Sequence, residues 1–395
     1  MLNKTICIIG LGYIGLPTAA FLANRGYKVV GVDICKDIIE TINRGEIHIV
    51  EPELDTFVKS AVNSGNLKAY SKPKKADIFM IAVPTPFHEG FVPNIDYIMS
   101  ACESISSVLS EGNLIILEST SPVGTTEKIR DYIYKLREDL HGKLYFSHAP
   151  ERVLPGQIIR ELSENDRIVG GIDAESTKLN KDFYETFVNG EILITDCKTA
   201  EMSKLTENSF RDVNIAFANE LSMISDNLNI DVKELINLAN HHPRVNILSP
   251  GTGVGGHCIA VDPYFIINSD KENSKIIKIA RDVNNYKTQW VIEKINNKVL
   301  EFERDNNKKP KVVCLGLSFK PNVDDLRESP ASLVVESLLN KNVDVIAVEP
   351  NITSHTKFKI FDYNRAIELG DIIVKLVDHK EFKNIDKNME IMNFV

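Results

Sequence analysis

The stretch TICIIGLGYIG, Thr5 to Gly15, carries the clearest structural signal in this chain. Its first five residues are a short β-branched run, and a helical pattern from Leu16 to Asn24 follows its G-x-G-x-x-G string. A second apolar run, Val29 to Val32, ends on Asp33, eighteen residues after the last glycine. A carboxylate near that spacing accepts hydrogen bonds from ribose hydroxyls, while the helix N-terminus faces a pyrophosphate. The stretch therefore predicts a dinucleotide site in a strand, turn and helix.

The three glycines of the string, Gly10, Gly12 and Gly15, have a physical purpose in such a site. Glycine permits the tight turn and lets the backbone come close to the pyrophosphate. Asp33 would repel a 2′-phosphate, so the sequence favours NAD over NADP. The alternative interpretation is an ordinary tight turn in an α/β protein.

Further apolar strands follow, each preceded by a helical pattern, as a doubly wound sheet requires: Ile78 to Val83, Leu114 to Leu117 and Leu144 to Ser147. Hydroxyl residues come directly after two of them, Thr85 after the first and Thr120 and Thr126 after the second. Ligands bind such sheets at the carboxyl ends of the strands. These side chains are therefore candidate cofactor contacts, with helix N-caps as the alternative.

Length and composition describe a globular protein of more than one domain. The chain has 395 residues, 43% of them hydrophobic, and no apolar run approaches the roughly 20 residues of a membrane span. The formal charge of −9 disfavours nucleic acid as a partner, and the N-terminus lacks the pattern of a secretion signal. Six scattered cysteines without zinc spacing predict free thiols, a reducing cytoplasm, no metal and a small ligand.

The segment from Thr199 to about Leu228 contains no glycine or proline and has helical periodicity, so it predicts one long helix. Lys204, Asn208 and Arg211 follow each other at i, i+4 and i+7, and three polar groups would share one face. Solvent exposure is the alternative for such a stripe. A helix of this length between two α/β halves is also a natural dimer surface.

The cysteine loop, PGTGVGGHCIAVDPYF from Pro250 to Phe265, holds Cys258 behind four glycines and four residues before Asp262. A thiol presented on a flexible backbone beside a carboxylate predicts covalent chemistry on a carbonyl. The alternative is a buried structural cysteine, which is common. Glu151, in the polar segment Ala149 to Gly156, follows a predicted strand and is a second candidate, or else a helix-start carboxylate.

A second, smaller α/β unit is predicted by three later strands: Lys311 to Leu317, Val343 to Val348 and Ile372 to Val377. Lys320 and Arg327 follow the first of these, and two fixed cations there suit a diphosphate. A surface ion-pair cluster with Asp324, Asp325 and Glu328 is the alternative. The predicted fold is thus α/β, with two Rossmann-like doubly wound domains joined by a long central helix, divided as 1–198, 199–300 and 301–395.

Taken together, the motifs resemble the UDP-glucose/GDP-mannose dehydrogenase family across nearly the whole chain. The residues that carry the resemblance are GLGYIG, the EST-PVG segment, the Lys204 and Asn208 helix, GVGGHCIAVDP and FKPNVDDLRESP. Within the family, ERVLPG and NHHPRVNIL are most similar to the UDP-N-acetyl-D-mannosamine 6-dehydrogenase branch, which serves surface polysaccharide synthesis. The resemblance implies a homodimer formed through the central helix.

The resemblance also implies a four-electron oxidation of the sugar C6 alcohol, with two NAD consumed. Cys258 would form a thiohemiacetal and then a thioester. Lys204 would act as acid/base or stabilise negative charge, with Asn208 beside it as a donor. Asp262 would orient that lysine or the water, and Glu151 is a candidate base for water attack.

The remaining implied contacts divide between cofactor and substrate. For the cofactor they are Gly10, Gly12, Tyr13, Ile14, Gly15, Asp33, Thr85, Thr120, Thr126 and Arg327, the last across a dimer or domain cleft. For the substrate they are Arg152, Val153, Lys204, Asn208, Arg211, His242, Arg244, Gly255, Phe319 and Lys320. Beyond Phe382 no final strand is obvious, although family members have one. The sequence therefore predicts an incomplete last strand or weaker substrate binding.

Other functions stay open at the level of sequence. The same chemistry on UDP-glucose, UDP-N-acetylglucosamine or GDP-mannose would differ by a few loop contacts. A two-electron β-hydroxyacid dehydrogenase also pairs a dinucleotide domain with a helical domain bearing Lys and Asn, but it uses no Cys258. A non-catalytic nucleotide-sugar or NAD sensor is a third possibility.

Overall fold

The computed structural model describes residues 4–256, 258–382 and 391–395. The chain divides into two compact units. The first unit comprises Met1–Leu205 and Tyr264–Ser269, and the second comprises Thr206–Pro263 and Asp270–Val395. Among the described residues, no helix combines the length and apolar character needed to cross a membrane.

The first unit is built on ten strands and the helices between them. Its strands are β1 Thr5–Ile9, β2 Lys28–Val32, β3 Leu67–Tyr70, β4 Ile78–Ile81, β5 Phe87–His88, β6 Val92–Pro93, β7 Leu114–Leu117, β8 Tyr145–His148, β9 Arg167–Gly171 and β10 Ile192–Asp196. Its helices are α1 Gly15–Asn24, α2 Lys36–Asn43, α3 Leu54–Asn63, α4 Asp96–Ser106, α5 Thr125–Leu136, α6 Ile158–Glu164 and α7 Ala174–Tyr184.

Eight of these strands form one sheet in the order β10-β9-β8-β7-β4-β1-β2-β3. The pairs are parallel except for β8 with β9, which is antiparallel. The order β3-β2-β1-β4-β7-β8 is that of a dinucleotide-binding sheet. Alternate residues of β1 point to opposite faces, so Ile6 and Ile8 enter one apolar core and Cys7 and Ile9 the other. The sheet is therefore covered on both faces, which explains its continuous apolar strands.

The long helix α8, Cys197–Leu228, begins in the first unit and ends in the second. The other helices are α9 Val232–Asn240, α10 Asp262–Ser269, α11 Lys275–Asn306, α12 Pro330–Asn340 and α13 Tyr363–Leu369. The strands of the second unit are β11 Lys311–Leu315, β12 Asp344–Val348, β13 Ile372–Lys375 and β14 Ile391–Asn393. They form one parallel sheet in the order β12-β11-β13-β14.

The predicted fold class is confirmed, with specific corrections. The predicted central helix from Thr199 is α8, which begins two residues earlier, at Cys197. The expectation that no final strand follows Phe382 is wrong, because β14 pairs with β13 through three residue pairs. Sequence analysis did not predict β3, β9, β10 or the 32-residue helix α11.

Candidate active site

The first glycine loop, Gly10–Gly15, connects β1 to α1, and its glycines have different surroundings. Gly10 has a φ of 93°, and a Cβ there would lie 2.5 Å from the carbonyl oxygen of Ala82. A Cβ at Gly15 would lie 1.8 Å from the carbonyl oxygen of Gly10. A Cβ at Gly12 would meet no atom within 4 Å. The turn itself requires Gly10 and Gly15, whereas Gly12 borders open space that a ligand can enter.

A fixed carboxylate stands beside this loop. The Asp33 Oδ2 accepts a hydrogen bond from the Leu11 amide at 3.0 Å, and its Oδ1 accepts one from the Cys35 amide at 2.9 Å. Ile14 precedes α1 and offers no side-chain cap. The Leu16 amide donates to the Gly12 carbonyl oxygen at 3.1 Å and Pro17 has no N–H, so the attraction of this helix N-terminus for an anion comes mainly from the helix dipole. Tyr13 is 46% exposed. An open loop, a helix N-terminus without a side-chain cap and an oriented carboxylate together fit NAD.

The predicted hydroxyl residues are fixed by protein partners. Thr85 donates its hydroxyl to the Thr120 carbonyl at 2.7 Å, which joins the loops after β4 and β7. Thr126 is buried, and both its amide and its hydroxyl donate to Glu201 Oε1 at 2.7 Å. Glu201 Oε2 accepts from the Gly124 amide at 2.5 Å. Sequence analysis missed Glu201, whose only signal is its place one turn before Lys204.

Glu151 is buried in an ion pair. Its Oε2 accepts from Arg167 Nη1 at 2.8 Å, and both side chains are almost inaccessible. Its Oε1 accepts the amides of Arg152 and Val153 at 2.7 and 3.1 Å. Three hydrogen bonds on one carboxylate hold the start of the segment from 151 to 153 in place. In this arrangement Glu151 organises the predicted substrate residues, and its use as a base needs one of these bonds to open.

A second buried carboxyl, Glu118, lies directly after β7 in the same unit. Tyr184 donates its hydroxyl to Glu118 Oε1 at 3.1 Å. Burial, together with the negative charge of Glu151, raises the pKa of Glu118 to about 8, although Arg167 acts in the opposite direction. Burial therefore favours the neutral form of the Glu118 carboxyl. Sequence analysis placed no role on Glu118, Tyr184 or Arg167.

In the second unit, Cys258 is exposed, as a nucleophile must be. Its carbonyl oxygen accepts the amides of Val261 and Asp262 at 3.0 and 2.8 Å. Asp262 begins α10, is 4% exposed, and accepts a hydrogen bond on Oδ2 from Asn208 Nδ2 at 2.5 Å. The structure thus brings together Asn208 and Asp262, which are 54 residues apart, on the loop that carries the thiol.

The glycines of the cysteine loop are required by packing. A Cβ at Gly255 would lie 2.3 Å from the Glu328 carbonyl oxygen, and one at Gly256 would lie 3.0 Å from the Phe319 ring. The Gly256 amide also donates to the Arg327 carbonyl oxygen at 3.1 Å. The sequence predicted a flexible backbone here, with Gly255 as a substrate contact implied by the family resemblance. The structure shows that they let the cysteine loop lie against the loop after β11.

The remaining predicted substrate residues lie on the surface of the second unit. Lys320 is exposed, with its Nζ 5.7 Å from the centre of the Phe319 ring. Arg327 pairs with Asp325 at 2.6 Å, so the ion pair considered as an alternative is present. Arg211, His242 and Arg244 are also exposed, and the His242 ring accepts the Arg244 amide at 3.3 Å.

Lys204 lies on α8 one turn before Asn208 and is partly buried. The boundary between the two units falls between these residues. Within the described ranges, no group of three or more His, Cys, Asp or Glu side chains could hold a metal ion.

Three domain models of one family match the chain. They are the NAD binding domain of the UDP-glucose/GDP-mannose dehydrogenase family over residues 4–188, its central domain over 198–286 and its UDP binding domain over 313–393. The chain belongs to the UDP-glucose/GDP-mannose dehydrogenase family. A UDP-N-acetyl-D-mannosamine dehydrogenase of Campylobacter jejuni is 51% identical over 403 residues, covering 98% of each chain.

Two further comparisons place the chain within the UDP-glucose/GDP-mannose dehydrogenase family. An NDP-N-acetyl-D-galactosaminuronic acid dehydrogenase of Ralstonia nicotianae is 48% identical and covers 97% of this chain and 92% of its own. The structure of the UDP-D-ManNAc dehydrogenase of Pyrococcus horikoshii superposes with a TM-score of 0.89 at 40% identity, covering 97% of this chain and 91% of that one.

As a member of the UDP-glucose/GDP-mannose dehydrogenase family, the chain is an NAD-dependent nucleotide-sugar dehydrogenase. The first glycine loop and Asp33 lie within the matched NAD binding domain, and Phe319, Lys320 and Arg327 lie within the matched UDP binding domain. Family membership and the geometry of the first unit therefore agree on the cofactor. Membership also sets aside the two-electron β-hydroxyacid dehydrogenase considered above.

Proposed function

We propose that this protein oxidises C6 of UDP-N-acetyl-D-mannosamine to the carboxylate in two NAD-dependent steps, for surface polysaccharide synthesis. The observation that carries the proposal is the exposed Cys258, on a loop tied to the pair of part-buried Asn208 and buried Asp262. A thiol of this kind has no use in a two-electron oxidation of an alcohol. In a four-electron oxidation the thiol has a use, because the intermediate aldehyde must be held and oxidised a second time.

The proposed reaction balances as follows. Hydride leaves C6 of the alcohol for the first NAD, while the hydroxyl proton goes to a base, and the product is an aldehyde. The Cys258 sulfur adds to the carbonyl carbon and its proton goes to the carbonyl oxygen, which gives a thiohemiacetal. The aldehyde C–H bond is kept on a tetrahedral carbon, from which hydride can leave as the oxygen re-forms a carbonyl. Hydride transfer to the second NAD gives a thioester. Water then releases the acid and regenerates the thiol, so one alcohol, two NAD and one water give one carboxylate, two NADH and three protons.

Each chain residue has a role in this proposal. Lys204 takes and returns the proton at the reacting oxygen, and Asn208 donates a hydrogen bond to that oxygen as negative charge develops. Asp262 holds the Asn208 amide and the first turn of α10, and so orients the donor. Glu151 keeps the segment from 151 to 153 in place and stays a candidate base for water attack.

The other predicted contacts keep their assignments as part of the proposal. Cofactor contacts are Gly10, Gly12, Tyr13, Ile14, Gly15, Asp33, Thr85, Thr120, Thr126 and Arg327. Substrate contacts are Arg152, Val153, Arg211, His242, Arg244, Gly255, Phe319 and Lys320. The proposal also divides the chain by function into an NAD-binding domain, residues 1–198, a central region with the cysteine loop, residues 199–300, and a UDP-sugar-binding domain, residues 301–395.

The sugar is the least determined part of the substrate. Relatives about equally similar to this chain are named for UDP-N-acetyl-D-mannosamine and for an N-acetyl-D-galactosaminuronic acid product. The two sugars differ in the configuration of ring carbons, which a few contacts distinguish. The mannosamine sugar is preferred because the relative with that name is 51% identical, against 48% for the other, and a solved structure with that name is 40% identical, against 28% for one named for NDP-N-acetyl-D-galactosaminuronic acid. UDP-glucose, UDP-N-acetylglucosamine and GDP-mannose remain alternatives.

The proposal includes a homodimer formed through α8. Phe210, Phe217 and Ile224 recur every seven residues on this helix and are 70, 51 and 47% exposed. An apolar stripe of this kind is suited to a second copy of the same helix. A cytoplasmic location belongs to the proposal too, because the nucleophilic thiol must remain reduced.

The test is the number of NADH molecules formed per UDP-N-acetyl-D-mannosamine consumed, with the galactosamine and glucose analogues run in parallel. We expect two NADH for the parent protein. Cys258→Ala should lose steady four-electron turnover by on the order of 1000-fold or more. Cys35→Ala, which removes another exposed thiol, is the matched control and should retain the ratio of two. A ratio of one for the parent, or a ratio of two for Cys258→Ala, would refute the covalent route.

A further inference from the structure

The carboxylate of Glu201 joins the central helix α8 to helix α5, which follows the EST-PVG segment. Glu201 lies in the early part of α8, and its side chain reaches the N-terminus of α5. It accepts the Gly124 amide at 2.5 Å, and the Thr126 amide and hydroxyl at 2.7 Å each. All of these residues belong to the first unit. Glu201 is 1% exposed, so no solvent replaces these bonds if they are lost.

Helix α5 has no cap of its own. Gly124 occupies the N-cap position in the left-handed conformation, with a φ of 89°, and has no side chain to accept a first-turn amide. The cap comes instead from a residue 77 positions later in the chain. A carboxylate at this place also interacts favourably with the partial positive charge of the helix N-terminus. The geometry of α5 therefore depends on where α8 places Glu201.

The contact between Glu201 and α5 also constrains the residues that follow Glu201 on α8. Lys204 is three residues after Glu201, and Asn208 is seven residues after it, so the three share one face of the helix. Three residues, slightly less than one turn, separate the Cα atoms of Glu201 and Lys204 by about 4.5 Å along the axis. Because a helix is stiff over one turn, the three hydrogen bonds of Glu201 set both the rotation and the axial position of Lys204.

We propose that Glu201 is a positioning residue for the reaction: it fixes Lys204 against α5 and its preceding turn. The inference rests on the proposed function, because Lys204 has its acid/base role there. Because Glu201 is buried, its carboxylate must keep its hydrogen bonds to α5, since a desolvated carboxylate is stable only when hydrogen bonds replace water. Glu201 touches neither substrate nor cofactor in this account. It acts through Lys204.

The decisive variant is Glu201→Gln in the full-length protein. Glutamine keeps the size and one acceptor oxygen but sets an NH2 group against an amide or hydroxyl donor, so one bond becomes a repulsion. We expect kcat to fall on the order of 100-fold, as for a misplaced catalytic group. KM for the UDP-sugar should stay within about threefold of the parent, because its proposed contacts are unchanged. KM for NAD should rise, because Thr126, a proposed cofactor contact, is bonded to Glu201. Two NADH per sugar should still form.

A matched control is available between the same two helices. Lys198 and Glu127 form an exposed ion pair at 2.9 Å, which also links α8 to α5. Glu127→Gln makes the same chemical change where solvent can compensate, and its kcat should stay within about twofold of the parent. Thr126→Val removes the hydroxyl donor to Glu201 and should lower kcat by about tenfold. KM for the UDP-sugar should stay unchanged, whereas KM for NAD should rise because Thr126 is also a proposed cofactor contact.

The results separate this inference from the proposed function. A parent protein that forms two NADH per sugar, with a Glu201→Gln variant that keeps kcat within twofold, would overturn the positioning role alone. If Glu201→Gln lowers kcat and thermal stability and raises both KM values to a similar extent, Glu201 has only a structural role. That result would also overturn the positioning role. Should Glu201→Gln fail to fold, Thr126→Val decides, because a normal kcat there contradicts the proposal.

Discussion

The first glycine loop and the cysteine loop look alike in sequence but use their glycines in different ways. In the first, Gly10 and Gly15 make room for backbone of the same unit, and Gly12 borders open space. In the second, Gly255 and Gly256 make room for the loop after β11. The first loop keeps a space for a ligand, whereas the second removes a space between two protein segments. The same residue type therefore marks binding in one case and packing in the other.

This difference changes how the thiol is understood. Cys258 is exposed although Gly255 and Gly256 are held tightly against a neighbouring loop. Among its described residues, the cysteine loop is tied on one side of the thiol through the Gly256 amide and on the other through the Asn208 and Asp262 pair. A nucleophile on a fixed backbone meets its carbonyl in one orientation.

The largest effect is expected from Gly15→Ala. The new Cβ would overlap the Gly10 carbonyl oxygen at 1.8 Å, and both atoms are attached to backbone that has no freedom to move. The start of α1 and the end of β1 must then separate, at a cost of more than about 3 kcal/mol. We expect little folded protein, measured as soluble yield and thermal unfolding. A Tm within a few degrees of the parent would contradict the packing described for this turn.

A smaller effect is expected from Gly255→Ala. Its Cβ would lie 2.3 Å from the Glu328 carbonyl oxygen, but here two loops can shift apart. We expect a loss of about 1–3 kcal/mol in the free energy of unfolding, and a fall in kcat because Cys258 moves. NAD affinity, measured by titration, should be that of the parent. A variant with weakened NAD binding and an unchanged kcat would show that this loop serves the cofactor after all.

The smallest effect on stability is expected from Gly12→Ala, since its Cβ would meet no protein atom within 4 Å. The free energy of unfolding should change by less than about 0.5 kcal/mol. NAD should bind about tenfold more weakly, which corresponds to 1.4 kcal/mol, because the methyl group enters the space that the ligand needs. Chemical denaturation and NAD titration on the same preparation measure the two quantities. Unchanged NAD affinity would mean that the open space is not the cofactor site.

The sequence predicted what local pattern encodes and missed what distant residues create. β1 and β7 were predicted with the bounds that the structure has, because strands buried on both faces are continuous apolar runs. β10 was missed because it is a mostly exposed edge strand whose apolar run is only three residues long. Glu201 looks like any exposed glutamate in a helix, and its partners lie at least 75 residues away. Burial of that kind has no sequence signature.

The division of the chain into units has a genetic consequence. The chain leaves the first unit after Leu205, re-enters it at Tyr264 and leaves again after Ser269. Domain boundaries usually fall in linkers that can be cut or exchanged. Here a single cut after Leu205 separates Tyr264–Ser269 from the unit in which it is packed, so neither fragment contains one unit and nothing else. If recombination exchanges only the part of the gene that encodes residues after Leu205, the first unit would keep its own residues up to Leu205. It would receive the Tyr264–Ser269 part of α10 from the other parent.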